Sequence, residues 1–259
     1  MRLFSCLTWV VAAAFLSLAP CPARAGEPVV LAADVWCPYT CEKGLGQDGF
    51  AVDMAREIFE AAGFEVEYRV MSWRRALTEA TNGYIDGVIG ADRSEAHWLI
   101  YPEEELGSTA GDFFVLKSNP WRYAGTSSLV GVRLALVAGY GIHPDIVEFL
   151  QRRGREALVQ YTVSQNPLEE NLRKLVAGRV DAILDDRTAI LYEADRLGVR
   201  DLIEYAGSDD VSENLYVAFS DKSPRSRELA RIWDRGVRKL RASGRLKAIL
   251  VRYGLRDWK

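Results

Sequence analysis

The chain has 259 residues, with 33 basic and 36 acidic side chains and a formal net charge of −3 at pH 7. This length suits one large or two modest domains. The mild acidity and the absence of a basic run argue against nucleic acid and anionic lipid as partners, and the charge alone indicates no particular small ligand.

Residues 1–25 have the features of a signal peptide. A positive start is followed by an apolar stretch at residues 7–18 and by small residues at 23 and 25. We expect export to the periplasm and cleavage after Ala25. A lipoprotein-type cleavage at Cys21 is the alternative, although Pro20 stands where such a site needs a small, flexible residue. No later segment is long and apolar enough to cross a membrane.

Two cysteines, Cys37 and Cys41, remain after this cleavage. In an oxidising compartment we expect them to form a structural disulfide. A metal site would need more ligands than these two thiols and the distant His97 and His143, and a redox motif normally has two intervening residues rather than three. We therefore expect no metal and no cofactor.

Strand-like and helix-like stretches alternate in the first part of the mature chain. They comprise a strand at 29–35, a glycine-rich turn at 44–49, a helix at 52–62, a strand at 64–70, a helix at 73–81 and a strand at 85–89. Alternating β and α units with short connections predict an α/β fold with a largely parallel sheet.

The alternation then restarts after a strand-like run at 113–116. It comprises strands at 132–137, 159–163 and 180–184, helices at 145–153, 168–177 and 186–197, a strand-like run at 215–219, and an amphipathic helical region at 224–253 that is interrupted near Gly244. Two α/β halves joined at 113–117 and 214–219 explain this pattern. A chain that crosses twice between two halves has the geometry of a hinge.

Six short motifs occur in a fixed order along the mature chain. They are Trp-Cys-Pro-Tyr at 36–39, Gly-Phe-Ala-Val-Asp at 49–53, Trp-Arg-Arg-Ala at 73–76, Asn-Gly-Tyr-Ile-Asp-Gly-Val-Ile-Gly at 82–90, Ala-Gly-Arg-Val-Asp-Ala-Ile-Leu-Asp-Asp at 177–186 and Leu-Tyr-Val-Ala-Phe-Ser at 215–220. In this order and spacing the chain resembles the extracellular solute-binding proteins of the polar amino-acid type, which are bacterial family 3.

The resemblance implies the type II periplasmic binding fold, in which two lobes, each a mostly parallel sheet flanked by helices, are joined by a two-strand hinge. The expected division is 26–116 for lobe 1, 117–214 for lobe 2, and 215–259 for a return to lobe 1 with C-terminal helices. The lobes would close on one small polar solute and deliver it to a membrane transporter permease.

Trp36 follows the first strand, where the resemblance implies an aromatic residue against the ligand, and Trp73 occupies a second such position. Aromatic side chains provide a large contact area at little entropic cost. Core or lid packing is the alternative for both tryptophans. Tyr39, which lies between the two cysteines, is a third candidate for ligand contact.

The resemblance also implies an anion-binding arginine seven residues after Gly90, in a loop that we include in the site. His97 stands there instead, and histidine cannot reproduce a bidentate arginine–carboxylate pair at neutral pH. Asp92 replaces the usual hydroxyl residue two positions after the glycine. Either Arg75 or Arg93 holds the anion, or the ligand is not an amino acid. A solvated or interlobe salt bridge is the alternative for both arginines.

Gly139, Tyr140 and Gly141 follow a predicted strand and precede a predicted helix. Exposed backbone N–H groups at such a position can bind an anionic group, although the glycines could serve only a tight turn. Asp186 matches the position whose carboxylate holds the ligand's ammonium group in the family, and helix N-capping is the alternative. Together with Asp92, it indicates a zwitterionic or cationic ligand.

We therefore expect a periplasmic, monomeric, non-enzymatic protein that binds a small polar solute, amino-acid-like ligands included, for an ABC-type transporter. Two other functions stay open. One is an accessory or sensory subunit that presents ligand occupancy to a partner. The other is a dehydratase-like enzyme in which His97 acts with Asp92 or Asp186, although no nucleophile elbow or phosphate-binding loop is present.

Overall fold

The structure is a computed structural model that describes residues 27–42, 44, 46–94, 96–152 and 158–259. The predicted signal peptide, with its cleavage site at Ala25, lies outside the described residues. Within these ranges, no helix combines the length and apolar character that crossing a membrane requires.

Strands and helices alternate through most of the described chain. The strands are β1 (Val29–Ala33), β2 (Val66–Val70), β3 (Gly87–Ala91), β4 (Gly107–Leu116), β5 (Leu134–Val137), β6 (Val159–Thr162), β7 (Ala182–Asp185) and β8 (Ile203–Phe219). The α-helices are α1 (Phe50–Glu60), α2 (Trp73–Thr81), α3 (Pro144–Gln151), α4 (Pro167–Val176), α5 (Arg187–Arg196), α6 (Ser226–Ala242) and α7 (Arg245–Val251).

The strands form a mixed sheet in the order β2-β1-β3-β8-β4-β7-β5-β6. The pairs β1–β2, β1–β3, β5–β6 and β5–β7 are parallel, whereas β8 is antiparallel to both β3 and β4, and β4 is antiparallel to β7. Strand β8 pairs with β4 as far as Leu215 and with β3 from Tyr216 onward. We call β2, β1, β3 and the end of β8 the first half-sheet, and the remaining strands the second half-sheet.

Helices cover both faces of the first half-sheet. Alternate residues of β1 point to opposite faces, so that Leu31 belongs to the core under α1 and α6, while Ala32 packs with α2. On the first face, the ring of Phe59 contacts Phe219 and Trp233 at centroid distances of 6.2 and 6.4 Å. The C-terminal helices therefore pack on the first half-sheet.

The predicted α/β fold class is confirmed, and most predicted elements form with ends shifted by about two residues. The C-terminal helical region is interrupted at Gly244, whose φ of 73° lies in the left-handed region that favours glycine.

The two central strands are much longer than predicted. Strand β8 has 17 residues, of which only the last few were expected, and β4 begins at Gly107 rather than near residue 113. The unpredicted part of β8 is rich in acidic and small residues and has no apolar periodicity. It forms a strand because it pairs with β4, which is a long-range contact that local sequence does not encode.

Candidate functional site

A cavity of about 210 Å³ is lined by residues of both half-sheets. It lies at the carboxyl ends of the parallel strands β1, β3, β5 and β7, where open α/β sheets bind their ligands. The lining residues are Asp34, Trp36, Trp73, Ile89, Gly90, Asp92, Ser94, Thr109, Ala110, Gly111, Leu136, Val137, Tyr140, Gly141, Ile142, His143, Pro144, Leu184, Asp185, Asp186, Asp209, Val211, Glu213 and Leu215.

A short loop after β1 holds Trp36 at the cavity. The backbone N–H of Trp36 donates to the carbonyl of Thr40 at 2.7 Å, and the Thr40 hydroxyl donates to the carbonyl of Asp34 at 2.9 Å. The structure contains the disulfide between Cys37 and Cys41, which closes the same loop. These hydrogen bonds and the disulfide therefore hold the loop, and with it the Trp36 ring, in position at the cavity.

Three aromatic side chains form the apolar wall of the cavity. Trp36 and Trp73 are buried, and each contacts the ring of Tyr140 edge to face, at centroid distances of 6.0 and 6.3 Å. Tyr39 stacks behind Trp36 at 4.2 Å and does not line the cavity. Gly139 has a φ of 96°, and its position lets the loop after β5 approach the Trp73 ring.

Two hydrogen bonds cross the cavity between the half-sheets. Trp36 Nε1 donates to Asp185 Oδ1 at 2.7 Å, and the Tyr140 hydroxyl donates to Asp34 Oδ2 at 2.9 Å. Burial raises the pKa of both Asp34 and Asp185 to about 7, against the lowering effect of these donors. The floor of the cavity thus carries two carboxyl groups that titrate near neutral pH.

Two polar atoms of the lining residues have no hydrogen-bond partner within the described residues. They are Asp185 Oδ2 and Trp73 Nε1, and both are buried. Unpaired buried polar atoms are uncommon in folded proteins because each costs about 1–3 kcal/mol. Both atoms belong to side chains that line the cavity, but neither atom is itself accessible to water in this arrangement, so a bound molecule pairs with them only after the side chains shift.

Asp186 begins α5 and faces the cavity. Its Oδ1 accepts from the backbone N–H of Ala189 at 3.0 Å, and its Oδ2 accepts from the hydroxyl of Thr109 at 3.2 Å. Burial raises the pKa of Asp186. Helix capping and cavity lining, which the sequence left as alternatives, are therefore both present in this one side chain.

Further carboxylates complete the lining. Burial raises the pKa of Asp209 and Glu213, both on β8. The Asp92 carboxylate accepts from the backbone N–H and the hydroxyl of Ser94, at 2.7 and 2.5 Å. His143 is the remaining titratable lining residue apart from Tyr140, and its Nδ1 caps α3 by accepting from the N–H of Asp145 at 3.2 Å.

The structure brings together most, but not all, of the predicted site residues. Those that line the cavity are Trp36, Trp73, Gly90, Asp92, Tyr140, Gly141 and Asp186. Tyr39 and Gly139 lie behind the tryptophans. Arg75, Arg93 and His97 do not line it in this arrangement.

Each of these three residues has contacts that hold it elsewhere. Arg75 lies on the exposed face of α2 and pairs with Glu79 at 2.7 Å, one helical turn away. The Arg93 guanidinium stacks on Tyr216 and donates to the carbonyl of Pro102 at 2.8 Å. His97 is exposed and contacts the ring of its neighbour Trp98.

Sequence reasoning missed several acidic lining residues. Asp34 lies inside the predicted strand 29–35, but the observed strand ends at Ala33, so the strand-end rule used for Trp36 did not reach it. Asp209 and Glu213 lie in the unpredicted half of β8, where no local pattern indicated a strand. Asp185 was noted only as a neighbour of Asp186.

Comparisons with known proteins give matches in sequence and in fold. Residues 29–97 match the sequence model of the bacterial extracellular solute-binding proteins, family 3. No curated protein matches the chain. A histidine kinase sensor domain with similarity to periplasmic binding proteins superposes with a TM-score of 0.73, at 21% identity over 89% of this chain and 96% of that one.

Two further solved structures are similar. The arginine-, lysine-, histidine-binding protein ArtJ from Geobacillus stearothermophilus has a TM-score of 0.72, at 16% identity over 90% of this chain and 97% of that one. An ancestral amino-acid-binding protein, a precursor of cyclohexadienyl dehydratase, has a TM-score of 0.69, at 18% identity over 88% and 95% of the two chains. At these identities the likeness establishes the shared fold.

Proposed function

Because the chain matches the family 3 bacterial solute-binding proteins over residues 29–97 and has their fold, we propose that it is an exported binding protein for a small polar solute. The signal peptide of residues 1–25 is cleaved after Ala25, and the monomeric mature protein acts in the periplasm. It delivers its solute to an ABC-type membrane transporter and catalyses no reaction.

The observation that carries this proposal is the position of the cavity between the two half-sheets. Trp36 and Trp73 approach it from the first half, and Tyr140 and Asp186 from the second. A ligand there gains its full set of contacts only when both halves surround it, so ligand binding favours the closed arrangement. The expected boundary at 116 would place β4 in the first lobe, but β4 pairs with β7 in the second half-sheet. We therefore propose 26–106 with 216–259, and 107–215, as the two lobes, which rotate about the junctions before β4 and within β8.

The fold comparison with a sensor domain supports a second candidate function. The superposition with the sensor domain covers 96% of that structure, so the same closing lobes can report ligand occupancy to a signalling partner. A sensory or accessory role shares the binding step and differs only in the partner. The dehydratase-like alternative relied on His97, which lies outside the cavity.

A thermal-shift screen of the mature protein tests the proposal. The library comprises amino acids, amines, carboxylic acids and sugars, because any ligand that binds the folded state alone raises the Tm. We expect one class to raise the Tm of wild type and of the exposed-tryptophan control Trp98→Ala, and to have a much smaller effect on Trp73→Ala. Small-angle X-ray scattering with that ligand should show a more compact particle.

Two results would overturn the proposal. One is a screen in which no solute shifts the Tm. The other is a ligand whose effect is equal in Trp73→Ala and Trp98→Ala, because the binding site would then lie outside the cavity.

A further inference from the structure

The charged groups of the cavity are almost all acidic. Six carboxyl groups line it, from Asp34, Asp92, Asp185, Asp186, Asp209 and Glu213, and within the described residues no lysine or arginine does. Desolvation raises the pKa of three buried ones, Asp34, Asp185 and Asp186, because a carboxylate removed from water is unfavourable without a cationic partner. A cation placed among them would remove this penalty.

One carboxylate oxygen, Oδ2 of Asp185, has no hydrogen-bond donor among the described residues. Asp185 is 6% exposed, and its Oδ1 accepts from Trp36 and from the N–H of Asp186. Its Oδ2 is buried and has no partner in the described part of the chain. A small shift of the Asp185 side chain would bring this oxygen to an ammonium or guanidinium group in the cavity, with which it would form a charge-assisted hydrogen bond.

The aromatic wall suits the same kind of ligand. The rings of Trp36 and Trp73 each contact the ring of Tyr140 edge to face, at centroid distances of 6.0 and 6.3 Å. Aromatic faces attract cations, and tryptophan is the strongest of them. Trp73 Nε1 needs an acceptor, which a hydroxyl group of the ligand or a water molecule supplies.

An anion, in contrast, finds no lysine or arginine among the described residues that line the cavity. Three arginines directly follow lining residues. Arg93 is engaged with Tyr216 and Pro102, and Arg187 with Asp112 at 3.2 Å and the ring of Tyr205. Arg74, which follows Trp73, is exposed and does not line the cavity. A ligand carboxylate would therefore meet acidic groups and no fixed positive charge.

From these contacts we infer that the cavity binds a compact organic cation, with an amine, guanidinium or quaternary ammonium group and no carboxylate. The inference rests on the proposed solute-binding function and names its ligand class. A volume of about 210 Å³ is small for a ligand cavity and suits a small solute.

Matched pairs of compounds that differ by a carboxylate test this inference. The probes are agmatine against arginine, cadaverine against lysine, and choline against glycine betaine, titrated calorimetrically into the processed periplasmic protein at pH 8. We expect at least one carboxylate-free cation to bind, at least about tenfold more tightly than its partner. Asp185→Asn should weaken that cation at least about tenfold, whereas the exposed control Asp221→Asn should not.

Each other outcome has a distinct meaning. A carboxylate-bearing member that binds as tightly as its partner overturns the ligand class and leaves the binding function standing. Binding that is equal in Asp185→Asn and wild type also overturns it. If none of the three cations binds with a Kd below about 1 mM, the ligand class is wrong. The broad thermal-shift screen then decides separately whether the protein binds another solute.

Discussion

The indole N–H of Trp36 donates to the carboxylate of Asp185 across 149 residues of chain, at 2.7 Å, and joins the loop after β1 to the end of β7. Trp36 is thus both a wall of the cavity and a link between the half-sheets. Asp185 is buried, and its second oxygen has no partner in the described chain. The carboxyl group therefore has only two donors among the described residues, the N–H groups of Trp36 and Asp186.

Trp36→Phe should therefore lower the free energy of unfolding by about 1–3 kcal/mol, because it keeps the ring but leaves a buried acceptor with one donor fewer. Urea denaturation at pH 7 measures this difference. Trp98→Phe is the matched control, since Trp98 is exposed and also loses one N–H donor bond, to Thr81. Equal losses in the two variants would contradict a special role for the bond across the cavity.

Asp186 allows capping to be separated from ligand binding. Asp186→Ala should lower stability by about 1 kcal/mol, since it removes the side chain that accepts from the N–H of Ala189. Asp186→Ser retains a capping oxygen and should be close to wild type in stability. Both variants should lose about tenfold or more in affinity for a cationic ligand, because each lacks the charge. Full affinity in the serine variant would limit Asp186 to its helix cap.

The two buried carboxyl groups predict a pH dependence of stability. Burial raises the pKa of Asp34 and Asp185 in the folded state to about 7, against 3.8 in the unfolded chain. The folded state therefore holds these protons more tightly. The stability that they contribute is fully present below about pH 4 and is lost as the pH rises through 7.

Without ligand, the Tm should accordingly fall between pH 5.5 and 8. The Tm of Asp185→Asn should fall less steeply over this range, because the variant lacks one of the two buried carboxyl groups. A bound cation favours the ionised carboxylates, so the Tm increase that it causes should be larger at pH 8 than at pH 5.5. Differential scanning calorimetry in buffers of equal ionic strength measures both effects. A ligand effect that is larger at pH 5.5 would argue against contact between the cation and these groups.

The disulfide should be present in the exported protein. Cys37 and Cys41 should resist alkylation until a reductant is added, which intact-mass spectrometry shows directly. Replacing both with serine opens a loop of five residues and should cost about 2 kcal/mol of stability by the loop-entropy relation. Two freely alkylated thiols in the native exported protein would contradict this pairing.

Much of the cavity was predictable because strand ends converge. Trp36 and Tyr140 were chosen because each follows a predicted strand, and Asp186 because the resemblance implies an ammonium-binding carboxylate there; all three line the cavity. The side of a helix on which a residue lies was harder to predict from the sequence. Arg75 and Trp73 are two residues apart on α2, and that spacing places Arg75 on the solvent side when Trp73 faces inward.

The acidic character of the site could not be predicted in full. Asp209 and Glu213 enter the cavity only because the polar half of β8 pairs with β4, and this pairing has no local signal. The raised pKa of Asp34 arises mainly from burial and partly from the approach of Asp185, which is distant in the sequence. Such effects depend on tertiary structure.

Mass spectrometry of the solute released by denaturing natively purified protein tests the central claim most directly. The account predicts a small organic cation without a carboxylate, in wild type and in Trp98→Ala, and little or none of it in Trp73→Ala. Release of an anionic or carboxylate-bearing solute would contradict the ligand class. Release of the same solute in equal amount from Trp73→Ala would contradict the cavity as the binding site.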